Sequence, residues 1–60
     1  YADVYYYRGV LYYTRNELDP ALTDFQHYLA LAPDGDHAEQ SAQSITDIQT
    51  HQQALNKKHS

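Results

Sequence analysis

The side chains closest to metal or acid–base chemistry are the histidines His27, His37, His51 and His59, and the chain has no cysteine to join them. No two stand at the i, i+4 spacing that sets a pair of ligands on one helix face, and no spaced Cys/His set preorganises an ion. They read as solvent-facing residues. Asp34 and Asp36 flank Gly35, but nothing after them completes a calcium loop, so a turn and a helix cap account for them. Ser41 and Ser44 fall inside a helical pattern without the strand-turn-helix setting of a nucleophile elbow, and no glycine-rich phosphate loop is present. Arg8 can reach a ligand carboxylate, yet it reads better as lying across the aromatic surface or pairing with an acidic neighbour. No catalytic, cofactor-binding or metal-ligating residue is nominated, and no enzymatic activity is expected.

Composition narrows the partners. A 60-residue chain holds one small domain and buries only about 60 % of the surface its unfolded form exposes. Without cysteine, methionine or tryptophan, the core must come from Tyr, Leu, Ile, Val, Ala and one Phe. Four Lys and Arg against eight Asp and Glu, a net charge of −4, argue against nucleic acid as partner, because phosphate binding rests on clustered cations. Lys57 and Lys58 are the only adjacent basic pair. No apolar run approaches a membrane span and no segment reads as a signal peptide, so neither membrane nor export is expected and a cytoplasmic location is the default. The chain starts at Tyr1, already inside an aromatic run, as a piece of something longer would.

The elements that carry these residues are helical. From Asp3 to about Asn16, Tyr5, Gly9 and Tyr12 share one face, Tyr6, Val10 and Tyr13 form a neighbouring stripe, and Val4, Tyr7 and Leu11 extend the apolar surface further. A helix apolar over so much of its circumference expects burial on more than one side. Contiguous tyrosines do not alternate with polar residues as a half-buried strand requires. Asn16-Glu17-Leu18 reads as a turn, Asp19 as the cap of a second helix and Pro20 as its first residue. In that helix Ala21, Phe25, Tyr28 or Leu29, and Ala32 recur at helical spacing, with Leu22 and Leu29 on a flanking stripe, leaving Thr23, Asp24, Gln26 and His27 mostly to solvent. Pro33 cannot continue it. Asp34-Gly35 turns the chain, and Asp36 with Glu39 resembles a capping box for a third helix reaching about residues 56–58. Its narrow stripe of Ala38, Ala42, Ile45, Ile48 and Leu55 suits a helix that covers a core. The fold class is all-α, a helix-turn-helix hairpin followed by a third, amphipathic helix.

Residues 2–35 span the 34 positions of a tetratricopeptide repeat and resemble one in order. The large aromatic of the family corresponds to Tyr5, its small helix-contact residue to Gly9, its first-helix aromatic to Tyr12, its second-helix small residue to Ala21, its bulky partner to Phe25 and its closing proline to Pro33. Tyr28 departs from the pattern, standing where the family has a small residue; that suits a terminal repeat packed on a capping helix, here residues 36–58. The stretch from Ala21 to Gln40 is also similar to the C-terminal repeat region of bacterial transglutaminase-like proteins, a likeness shared by terminal repeats in general. The resemblance implies one repeat domain with its cap.

In that family the groove lined by first helices receives peptides or protein segments, so the resemblance places Asp3, Tyr6, Val10, Tyr13 and Thr14 at a protein-binding surface. The Lys and Asn that clamp a terminal carboxylate in the chaperone-binding subgroup are replaced by Tyr6 and Val10, so an apolar segment or helix is expected rather than an acidic tail. Packing against a neighbouring repeat is the competing use of Tyr6, Val10 and Tyr13. Because repeat arrays need about three units for a continuous core, self-association of this chain is expected too. The function these observations imply is a protein-interaction module. The alternative is a structural cap on a repeat array or on an attached enzyme domain.

Overall fold

The computed structural model describes residues 1–59, with the side-chain surroundings of residues 1–55. It consists of three helices, α1 (Ala2–Thr14), α2 (Leu18–Leu31) and α3 (Ala38–His59). The chain is all-α, a helical hairpin plus a third helix, with α2 packed against both α1 and α3. Among the described residues no helix is long and apolar enough to cross a membrane.

The helix boundaries follow from where backbone donors and acceptors find partners. At the end of α1, Asn16 adopts φ 62°, a left-handed conformation that asparagine tolerates. That conformation turns the Asn16 amide onto the Tyr13 carbonyl at 3.0 Å and the Glu17 amide onto the Tyr12 carbonyl at 2.9 Å, the paired bonds of a Schellman ending. The chain is thereby redirected so soon that α2 begins at Leu18, not at Pro20 as the spacing predicts. Glu17 occupies its cap, without a side-chain hydrogen bond, and its carbonyl accepts from the Ala21 amide at 3.2 Å. Pro20 falls third in the helix, still among the amides that have no intrahelical acceptor. Asp19 is a first-turn residue and not the cap; its carboxylate suits the positive helix end and accepts a hydrogen bond from Gln52 of α3.

The expected capping box before α3 does not form. The Ser41 amide donates to the His37 carbonyl at 2.9 Å, so His37 holds the cap position and the helix begins at Ala38. The cause lies in α2. The Tyr28 hydroxyl accepts a hydrogen bond from the His37 amide at 2.9 Å and fixes the connection one residue later than Asp36 would. Gly35 is required beneath it, because a Cβ there would overlap the Tyr28 hydroxyl oxygen.

Ala21, Phe25 and Ile48 make the buried centre, with Tyr6, Val10, Tyr12, Leu18, Leu22 and Ile45 packed around it. Burial of an aromatic or large aliphatic side chain of this kind contributes about 1.5–3 kcal/mol, so Phe25 and Ile48 are its main anchors. Gly9 is buried where α1 meets α2, and a Cβ on it would lie 3.0 Å from the Phe25 ring; the missing side chain lets the helices approach. On α3 the inward positions are Ser41 and Ile48, with Ser44 and Ile45 half-buried, whereas Ala42, expected on the stripe, faces out and Leu55 stays 43 % exposed. Asp24, expected at the surface, is buried, for a reason that belongs to α1.

Candidate protein-binding face

The inner side of α1 is fixed by its contacts with α2 and with the segment before α3. Arg8 donates from Nε and Nη2 to the two carboxylate oxygens of Asp24, each at 2.8 Å. A bidentate, charge-assisted pair of this geometry satisfies a carboxylate that would otherwise be costly to bury, which is why Asp24 can sit inside. The same pair holds the Arg8 guanidinium charge well above its ordinary pKa, first through the hydrogen bond to Asp24 and then through that residue's charge. The guanidinium also lies 5.5 Å from the centre of the Tyr5 ring, and Tyr5 meets His27 edge-on at 5.0 Å.

Tyr6 is the centre of a second cluster. Its ring stacks on His37 at 4.0 Å with the planes 5° apart, and it lies tilted against Phe25 at 6.1 Å and Tyr28 at 5.8 Å. Stacked and tilted aromatic pairs within this range add about 0.5–1.5 kcal/mol beyond area burial. His37 is thus half-buried in an aromatic setting, against the expectation that the histidines face solvent. His27 and His51 are exposed; His59 and the Lys57-Lys58 pair lie outside the residues whose side chains are described. Among the described residues no group of three or more His, Cys, Asp or Glu is placed to hold a metal ion.

The five residues nominated for protein binding therefore separate. Tyr6 and Val10 pack inward against the core. Tyr13, 41 % exposed, turns to the other end of the hairpin, where it lines a hollow of about 220 Å³ with Asn16, Leu18, Asp47, Ile48 and His51. An open cleft of about 530 Å³ continues past Asp19, Gln52 and Leu55. Asp3 and Thr14 remain at the surface, the Thr14 hydroxyl donating to the Leu11 carbonyl at 2.8 Å.

Between Asp3 and Thr14 runs a face that the nomination did not include. Val4, Tyr7 and Leu11 recur at spacings of three and four, so they share one side of the helix, opposite the buried Gly9. They are 55 %, 58 % and 62 % exposed. The spacing was visible in the sequence; the missing signal was which side of an all-round apolar helix α2 would take. Gly9 decides it, because only that side has room for Phe25. The Tyr7 ring is held by edge contacts to Tyr6 at 5.6 Å and to His37 at 5.7 Å, so a fixed aromatic surface faces outward. Comparison of the chain with models of protein families, with curated proteins and with solved structures finds no match.

Proposed function

We propose that this chain is a protein-interaction module of tetratricopeptide type, in which the outer face of α1 takes up an apolar helix of a partner protein or of another copy of the chain. The observation that carries the reading is the uncovered stripe of Val4, Tyr7 and Leu11, each more than half exposed on a helix whose other side is packed. A contiguous apolar stripe rimmed by Asp3, Arg8 and Thr14 is the form that interaction sites take on small proteins. The repeat assignment rests on the ordered series Tyr5, Gly9, Tyr12, Ala21, Phe25 and Pro33 in the sequence. Binding is its role in this reading; no catalytic residue is proposed, and no cofactor, nucleic acid or membrane is among the proposed partners.

The second reading, a purely structural cap, is favoured by the packing of Tyr6 and Val10. The two readings part at Tyr7 and Leu11. The test is a selection of displayed helical peptides on the parent chain, counter-selected on a Tyr7→Glu/Leu11→Glu double variant whose helicity matches the parent. Enrichment of amphipathic peptides that bind the parent and not the variant supports an interaction module. Equal enrichment on both, or none on either, leaves only the structural role.

A further inference from the structure

The stripe on α1 carries its own record of orientation. In a seven-residue frame, Val4 and Leu11 occupy one seam position and Tyr7 and Thr14 the other, with Asp3 and Val10 along one edge and Arg8 and Arg15 along the opposite edge. When two such helices meet along the seam, their direction decides which edges face. An antiparallel pair that sets Val4 against Leu11 brings each edge against its own kind, so that Arg8 of one copy opposes Arg8 of the other and Asp3 gains no cation. A parallel pair brings the acidic edge of one copy against the basic edge of its partner, and Asp3 then stands opposite Arg8, five residues on. Opposite charges attract and like charges repel at such edges, so the pattern favours the parallel arrangement.

The structure also prepares one member of that ion pair. Nε and Nη2 of Arg8 are fixed on Asp24, while its side chain is still 51 % exposed and Nη1 has no hydrogen bond among the described residues. A guanidinium already immobilised by α2 loses little further freedom on meeting a second carboxylate, which is the advantage of preorganisation. Tyr7 is likewise braced by Tyr6 and His37.

We propose that the occupant of the α1 face is a second copy of this chain, with the two α1 helices parallel about a two-fold axis along the seam. Val4, Tyr7 and Leu11 of each copy meet their own counterparts, and Asp3 of each copy pairs with Arg8 of the other. The proposal rests on the reading of this face as an interaction surface and names its partner. A helix of 13 residues is about 20 Å long. Three apolar layers over that length fall short of the roughly 1,200 Å² of a stable interface. The association is therefore weak, with a Kd on the order of 0.1–1 mM.

The absence of cysteine from the chain makes the arrangement readable by cross-linking. Val4→Cys and Leu11→Cys variants, one of them isotope-labelled, are mixed at equal sub-millimolar concentration, oxidised mildly and separated by mass. The parallel pair predicts disulfides between like positions, several-fold in excess of the 4–11 product. It also predicts that adding Asp3→Lys lowers the yield several-fold without loss of helicity. An excess of the 4–11 product means antiparallel pairing and overturns the proposal while leaving an interaction face in place. A statistical mixture, formed no faster than in a Tyr7→Glu background, shows that copies do not pair here and also overturns it. In that case the peptide selection decides separately whether a foreign partner uses the face.

Discussion

Gly35 and Tyr28 give the sharpest test of the packing that presents α1. A Cβ at position 35 would overlap the Tyr28 hydroxyl, and would also lie 3.1 Å from Tyr28 Cζ and 3.0 Å from the Ala32 Cβ. Tyr28 is 1 % exposed, so its ring has no empty space to enter. In Gly35→Ala the hydroxyl must leave its place over the His37 amide. Breaking that hydrogen bond costs about 1–3 kcal/mol, and the crowding itself about 1–3 kcal/mol. Gly35 has no positive φ, so the alanine recovers about 0.4–1 kcal/mol by restricting the unfolded chain. The net loss is about 2–4 kcal/mol, a large share of the roughly 3–9 kcal/mol available to a chain of this size. Tyr28→Phe alone loses the hydrogen bond without the crowding, about 1–2 kcal/mol. In the double variant the alanine meets no hydroxyl, so the two losses sum to less than additive by about 1–2 kcal/mol. Urea unfolding followed by helical circular dichroism measures all four corners of this cycle. Strict additivity, or a Gly35→Ala chain as stable as the parent, would refute the placement of the α2–α3 connection.

Three further outcomes follow from the core. Ser41 is fully buried and its hydroxyl has no hydrogen-bond partner among the described residues, so Ser41→Ala stabilises the chain by about 0.5–1.5 kcal/mol, read as a higher urea midpoint at unchanged slope; a lower midpoint contradicts the assignment. Phe25→Ala removes the ring that Gly9 and Tyr6 pack on and loses about 3–5 kcal/mol, leaving the chain largely unfolded by circular dichroism at 25 °C. Arg8→Gln leaves the Asp24 carboxylate buried without its cation and destabilises the chain. The urea midpoint falls below that of the parent; an unchanged midpoint argues against the pair.

The three helices were legible because their signals are local. Contiguous tyrosines at helical spacing, Pro33, and the Asp34-Gly35 turn each act within a few residues, and all mark elements or breaks found in the structure. What sequence reasoning misplaced depends on contacts between elements. Asp19 and Asp36 have the chemistry of caps, but the left-handed Asn16 and the Tyr28 hydroxyl shift the starts of α2 and α3 away from them. Asp24 looks like a surface carboxylate until Arg8 arrives from sixteen residues earlier to bury it. His37 is polar on paper, yet its imidazole plane completes an aromatic stack with Tyr6. The outer face of α1 was obscured for a different reason: tyrosine and aliphatic residues surround that helix, and only the single atom missing from Gly9 distinguishes the packed side from the free one.

Whether the Val4, Tyr7 and Leu11 face binds a helix is read by amide shift mapping. The ¹⁵N-labelled chain is titrated with the strongest peptide from the selection, or concentrated alone if only self-pairing occurs. The largest shifts are expected to cluster at Val4, Tyr7, Leu11 and their neighbours Asp3 and Arg8, and to disappear in Leu11→Glu. Shifts confined to Tyr13, Asn16, Leu18, His51 and Leu55 around the cleft, with the outer face of α1 silent, would contradict it.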